Sequence, residues 1–154
     1  MTVRVTTAWA VKTASFDLLT AGLAGELDPD DEVPSIAYGF PGEAALADEF
    51  VFVGAIEADD DWGDIGRGAR EENYTIDLVI NISHQGQTQQ EVTERAFTVL
   101  AACDRIITGA AANALLPDGT AGNVNTVFRR LVERPADAGR EAEITAGIRV
   151  YAKF

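Results

Sequence analysis

The sequence predicts an α+β fold: an antiparallel sheet of about five strands with two helices packed on one face, in the order α-β-β-β-α-β-β. Three observations carry this. Two stretches repeat apolar residues at three- and four-residue spacing, the period of an amphipathic helix. Other stretches alternate apolar and polar residues, as strands do when one face is core and the other is wet. The strand-like stretches also follow one another through short connections, which favours antiparallel neighbours with the helices gathered on one side.

The first helix is read from about Thr7 to Leu23, with Trp9, Lys12, Phe16, Leu19 and Leu23 in its stripe and Val11, Leu18 and several alanines widening it. Gly22 and Gly25 weaken its end, Pro29 lies beyond, and Leu27 to Glu32 (LDPDDE) forms an acidic turn. A short strand follows at about Pro34 to Phe40, since a proline fits a strand start or edge. Phe40-Pro41-Gly42 reads as a turn, and Glu43 to Ala47 as a single helical turn. Glu49 to Glu57 is the second strand; Phe50, Phe52, Gly54 and Ile56 face one way and Val51, Val53 and Ala55 the other, so it is expected to be central or covered twice.

Ala58 to Arg70 is a long acidic, glycine-rich loop. Glu71 to Ser83 is the clearest strand, with Tyr74, Ile76, Leu78, Ile80 and Ile82 on its core face. His84 to Gln87 reads as a turn. Thr88-Gln89-Gln90-Glu91 matches a capping box, in which Thr88 and Glu91 satisfy free amides at a helix start. The helix is expected to run to about Asn113 with Val92, Ala96, Val99, Cys103, Ile106 and Ala110 in its stripe, and with Glu91 and Arg95 as an i,i+4 pair. After a loop at Leu116 to Gly122, two strands at Asn123 to Glu133 and Glu141 to Lys153 are joined by Arg134 to Arg140.

With 154 residues, 47% of them hydrophobic, the chain is expected to fold as one domain over 1–154 with a real core. A domain of this size buries roughly 70% of its unfolded surface. The net charge, 12 − 25 = −13, repels phosphate and argues against tight nucleic-acid or anionic-membrane binding. No apolar run approaches the ~20 residues of a membrane span, and the N-terminal stretch has too little apolar sequence for a signal peptide. The lone Cys103 excludes an internal disulfide and sits on a helical apolar stripe, as a buried structural thiol would.

Signatures of chemistry are sparse. One histidine, His84, and one distant cysteine do not make a zinc site or an acid–base constellation. The glycines of Gly63-Asp64-Ile65-Gly66-Arg67-Gly68 lack the lysine and setting of a phosphate loop, and none of the serines lies in a nucleophile elbow. Neither cofactor nor metal is expected: the carboxylates of the acidic loop lack the alternating spacing of an EF-hand. The loop draws attention for a different reason. Trp62 stands among Asp59, Asp60, Asp61 and Asp64, where a core position is hard to reach, and exposed aromatics often anchor interfaces. Arg67 and Arg70 flank it and are placed to meet an acidic segment of a neighbouring subunit in a head-to-tail contact.

The layout resembles a known family. A helix precedes a strand ending in Tyr38-Gly39-Phe40-Pro41-Gly42; a strand begins near Glu49; a loop ends in Gly68-Ala69-Arg70-Glu71-Glu72; a long strand opens on Tyr74-Thr75-Ile76; a helix and two strands follow. Over almost its whole length this is similar to the tail terminator, or tail completion, proteins of long-tailed double-stranded DNA bacteriophages. The resemblance implies a small α+β virion protein without catalytic residues, usually a homohexameric ring. Such a ring sits on the head-proximal end of the finished tail tube, stops tube growth and faces the head-completion or neck proteins. It also implies a partner set of the chain itself, the tail tube protein and the neck, assembly in the host cytoplasm, and DNA passing through the ring; the acidic charge suits a lumen that DNA passes without sticking. A neighbouring neck or minor tail role, a head–tail connector, is the alternative; a small ligand-binding domain is a further one.

Overall fold

A computed structural model describes residues 6–42, 48–58, 71–110, 112–136 and 139–153. The elements follow the expected order, with one short helical turn added: α1 (Ala8–Glu26), β1 (Ser35–Tyr38), β2 (Glu49–Ala58), β3 (Glu71–Gln85), α2 (Gln89–Gly109), α3 (Ala112–Leu115), β4 (Ala121–Ala136) and β5 (Gly139–Lys153). The single helical turn expected at 43–47 lies outside the described residues.

Local chemistry explains α2. The Thr88 hydroxyl accepts from the Glu91 amide at 3.2 Å and the Glu91 carboxylate accepts from the Thr88 amide at 3.1 Å. The capping box is therefore closed as its spacing predicts. With Glu91 engaged there, Arg95 does not pair with it and turns to Glu49 instead. The helix ends at Gly109 rather than near Asn113, and α3 follows.

In α1 the buried face is Ala8, Val11, Ser15, Leu19 and Leu23. The expected stripe of Trp9, Lys12 and Phe16 lies beside it. The four-residue spacing from Val11 through Ser15 to Leu19 and Leu23 continues one face, and that face wins the core although it contains a serine. The helix also runs through both glycines to Glu26.

The sheet order is β1-β2-β3-β5-β4. It is antiparallel throughout except that β1 runs parallel to β2, from Ser35 opposite Phe50 to Tyr38 opposite Val53. A tight hairpin would have made that pair antiparallel. Gly42, whose φ is 85°, lies in the connection after β1, and β2 enters beside the start of β1, with Phe50 opposite Ser35. The last hairpin is longer than expected, because β4 and β5 take in most of the 134–140 segment. Pro135 is tolerated within it because β4 is an edge strand whose outer side needs no donor.

One apolar layer lies between the sheet and the helices. Val51 and Val53 of β2, Ile76 to Ile82 of β3, and Ile144 to Val150 of β5 meet Val11, Leu19 and Leu23 of α1 and Val92, Val99 and Ile107 of α2, and the large ones among them are fully buried. β2 is interior to the sheet as expected, but both described helices of length lie on one side of it. A register shift between Val53 and Ile56 turns Ile56 to the helix side, away from Phe50 and Phe52. Those two phenylalanines stack on the far face with ring centres 6.1 Å apart, and Phe40 meets Phe52 edge-on.

Candidate functional site

The helix-facing row of β3 has five apolar residues between two polar ends, Glu72 and His84. Each end secures a helix. Glu72, buried, accepts from the Thr7 amide at 2.6 Å, from the Thr6 hydroxyl at 2.8 Å and from the Thr7 hydroxyl. A carboxylate is thereby set against the N-terminus of α1, where the helix dipole favours it. The Tyr74 hydroxyl lies 2.8 Å from the same Thr7 hydroxyl. Burial pushes the Tyr74 phenol well above its ordinary value, and the nearby Glu72 charge adds to this.

The other end forms a polar cleft of about 260 Å³, lined by Asp30, Asp31, Glu32, Glu49, His84, Gln87 and Arg95. Glu49 lies at its floor, 4% exposed. Arg95 forks onto it, with Nη2 at 2.9 Å from Oε1 and Nε at 3.1 Å from Oε2. His84 Nε2 donates to Oε2 at 2.7 Å. Arg95 also donates to the Glu32 carbonyl at 2.6 Å and approaches Asp31 at 3.4 Å. Burial alone would raise the Glu49 carboxyl; the hydrogen bonds from Arg95 and His84 and their charges outweigh it and hold the group below its usual range.

His84 is thus a strand residue with a buried acid as partner, and not the solvated turn residue its neighbours imply. Sequence reasoning missed it and Glu49 because they meet only across the β2–β3 pairing. A glutamate–histidine pair can serve acid–base chemistry, but here both carboxylate oxygens are occupied by donors and the group is held ionised. That arrangement ties β2, β3, α2 and the acidic turn together. Among the described residues, no three His, Cys, Asp or Glu side chains gather as metal ligands do. No described helix is long and apolar enough to cross a membrane. Cys103 is buried and free, and burial pushes its thiol up to about 12.

The remaining surface has two features fit for association. The sheet's outer strands are the four-residue β1 and the sixteen-residue β4, and neither has a partner on its outer side among the described residues. Large aromatics stand exposed at both: Tyr38 (45%) on β1, Phe128 (51%) on β4 and Phe97 (40%) against it, with Trp9 (70%) on the α1 face that carries Lys12 and Phe16. The residues singled out by sequence, Asp59, Asp60, Asp61, Trp62, Asp64, Arg67 and Arg70, all lie outside the described residues. The strands that bracket them, β2 and β3, are paired up to Ala58 opposite Tyr74.

No family model matches the sequence, and no curated protein matches it. Among solved structures, the fold is similar to that of a chain in the "virion of native gene transfer agent (GTA) particle". The TM-score is 0.55 at 21% identity, and the alignment covers 96% of this chain and 99% of that one. At that identity the likeness is one of fold.

Proposed function

We propose that this chain is a structural virion protein, a tail terminator that acts by forming a homohexameric ring on the end of a phage tail tube. There it ends tube growth and offers the surface to which head-completion or neck proteins attach. The observation that carries the reading is the end-to-end fold likeness to a chain of a gene transfer agent virion, with neither protein extending far beyond the other. It agrees with the tail-terminator resemblance of the sequence. The surface supports it as well: two open sheet edges and exposed aromatics suit assembly, while the polar cleft is consumed by internal ties. The formal charge of −13 suits a ring whose lumen lets DNA slide past.

The test is deletion of the gene from the phage genome that carries it, with electron microscopy of the products. The expected result is headless tails of uncontrolled, excessive length. The same fold likeness also serves a neighbouring place in the neck or minor tail; tails of normal length would move the protein there or out of the virion.

A further inference from the structure

The stripe on α1 that loses the core to Val11 and Ser15 is not idle surface. Trp9, Lys12 and Phe16 share one helix face at three- and four-residue spacing. That face overhangs β1. Lys12 Nζ sits 4.2 Å above the Tyr38 ring centre, and Phe16 meets the same ring edge-on at 5.8 Å. Trp9, one turn further on, projects into solvent at 70% exposure. Tryptophan is the residue type most enriched among the side chains that dominate interface energies, and it rarely stands bare.

At the opposite edge of the sheet, α2 and β4 leave a groove of about 280 Å³ lined by Phe97, Leu100, Ala101, Asp104, Thr126 and Phe128. Phe97 and Phe128 pack against each other along one wall, with ring centres 5.7 Å apart. Its volume lies at the bottom of the range for ligand pockets and has room for a large side chain. Its one charged wall, Asp104, is oriented by the hydroxyls of Thr108, at 2.9 Å, and Thr126.

We propose that the Trp9–Lys12–Tyr38 ridge of one copy docks in the Phe97–Phe128 groove of the next, joining copies of this chain head to tail. A second copy of this chain is the occupant that fits. Ridge and groove lie on the same side of the sheet at opposite edges, so every copy presents both. Aromatic ridge meets aromatic groove. Lys12 beside Trp9 is opposite in sign to Asp104 in the groove wall. A heterologous contact of this kind closes into a ring when its rotation allows, so the proposal deepens the ring reading and rests on it for its biological setting.

The test uses Trp9→Asp, which removes the ridge, and Phe128→Asp, which spoils the groove. Both positions are mainly exposed, and circular dichroism with thermal unfolding verifies that each variant folds. Light scattering after size exclusion then gives the mass. The wild type is expected to assemble and each variant alone to run as a monomer of 16.4 kDa. Mixed in equal amounts, the two variants are expected to give a heterodimer of twice 16.4 kDa and nothing larger, because each retains one intact surface. A wild type that stays monomeric at its highest soluble concentration overturns the proposal. So does assembly of either variant at wild-type strength, or a mixture that remains monomeric. Variant-insensitive assembly would refute this interface and leave the ring reading standing. Variant-sensitive assembly with normal tail length on deletion would do the reverse.

Discussion

Replacing Glu49 with glutamine tests whether the polar cleft is an anchor. The substitution keeps the shape of the side chain and removes its charge. Arg95 and His84 then face a neutral group at the floor of the cleft, and Arg95 keeps only Asp31, at 3.4 Å, as a charged partner. Breaking a buried ion pair by removing one member costs about 3–5 kcal/mol. Arg95 is 14% exposed and retains the Glu32 carbonyl, so the low end applies, about 3 kcal/mol. For a chain of this length that lowers Tm by roughly 6–12 °C.

The pH dependence has a definite sign. The folded-state pKa of Glu49 is depressed below its ordinary 4.5. Its contribution is therefore fully present above 4.5 and is lost as pH falls through the lower, folded value. The assay is urea unfolding of wild type and Glu49→Gln, in dilute protein because the pI is near 4.3. The stability gap is expected to hold near neutrality and to close as the solution is acidified below the ordinary carboxylate value. A gap under about 1 kcal/mol at neutral pH, or one unchanged from about pH 6 to about pH 3, would refute the anchor.

Thr88→Ala opens the capping box and is expected to cost about 1 kcal/mol in urea unfolding, with helix content measured by circular dichroism otherwise preserved. Ser15→Ala should leave stability equal or raise it by about 1 kcal/mol, because the buried Ser15 hydroxyl has no hydrogen-bond partner among the described residues. Cys103, buried and with its thiol raised to about 12, should resist a thiol reagent at mildly alkaline pH and react only after denaturant is added. Rapid labelling of the native protein would show that α2 opens far more readily than its packing implies.

What could be read from the sequence was what is local. The core row Tyr74 to Ile82 alternates without interruption, and the Thr88–Glu91 cap needs only three residues of spacing. Both are found as expected. The readings that differ depend on contacts far apart in the chain. His84 resembles a turn residue until β5 extends the ladder past it and β2 brings Glu49 within 2.7 Å. The parallel β1–β2 pair follows from no pattern within either strand. In α1 two stripes compete, and composition favours the aromatic one. The sheet selects the slimmer one because α1 also packs against α2, where Gly22 brings its backbone against Ile106. The acidic loop with Trp62 was legible only as composition.

That rotation of α1 links the fold to its proposed use. Glu72 holds the N-terminus of α1 on β3, and the Glu49 cluster holds α2 on β2 and β3, so both helices are tied to the middle of the same sheet. With their inner faces committed there, Trp9 is directed outward at one edge and Phe97 at the other. Neither exposed aromatic is needed by the core, whose large side chains are buried without them. A chain built this way can change its ridge and groove without losing its fold. It can also lose the Glu49 anchor and still carry both surfaces, misaligned. Glu49→Gln should consequently weaken self-association as well as stability, whereas Trp9→Asp should weaken association alone, and mass measurements on the two folded variants would separate the two effects.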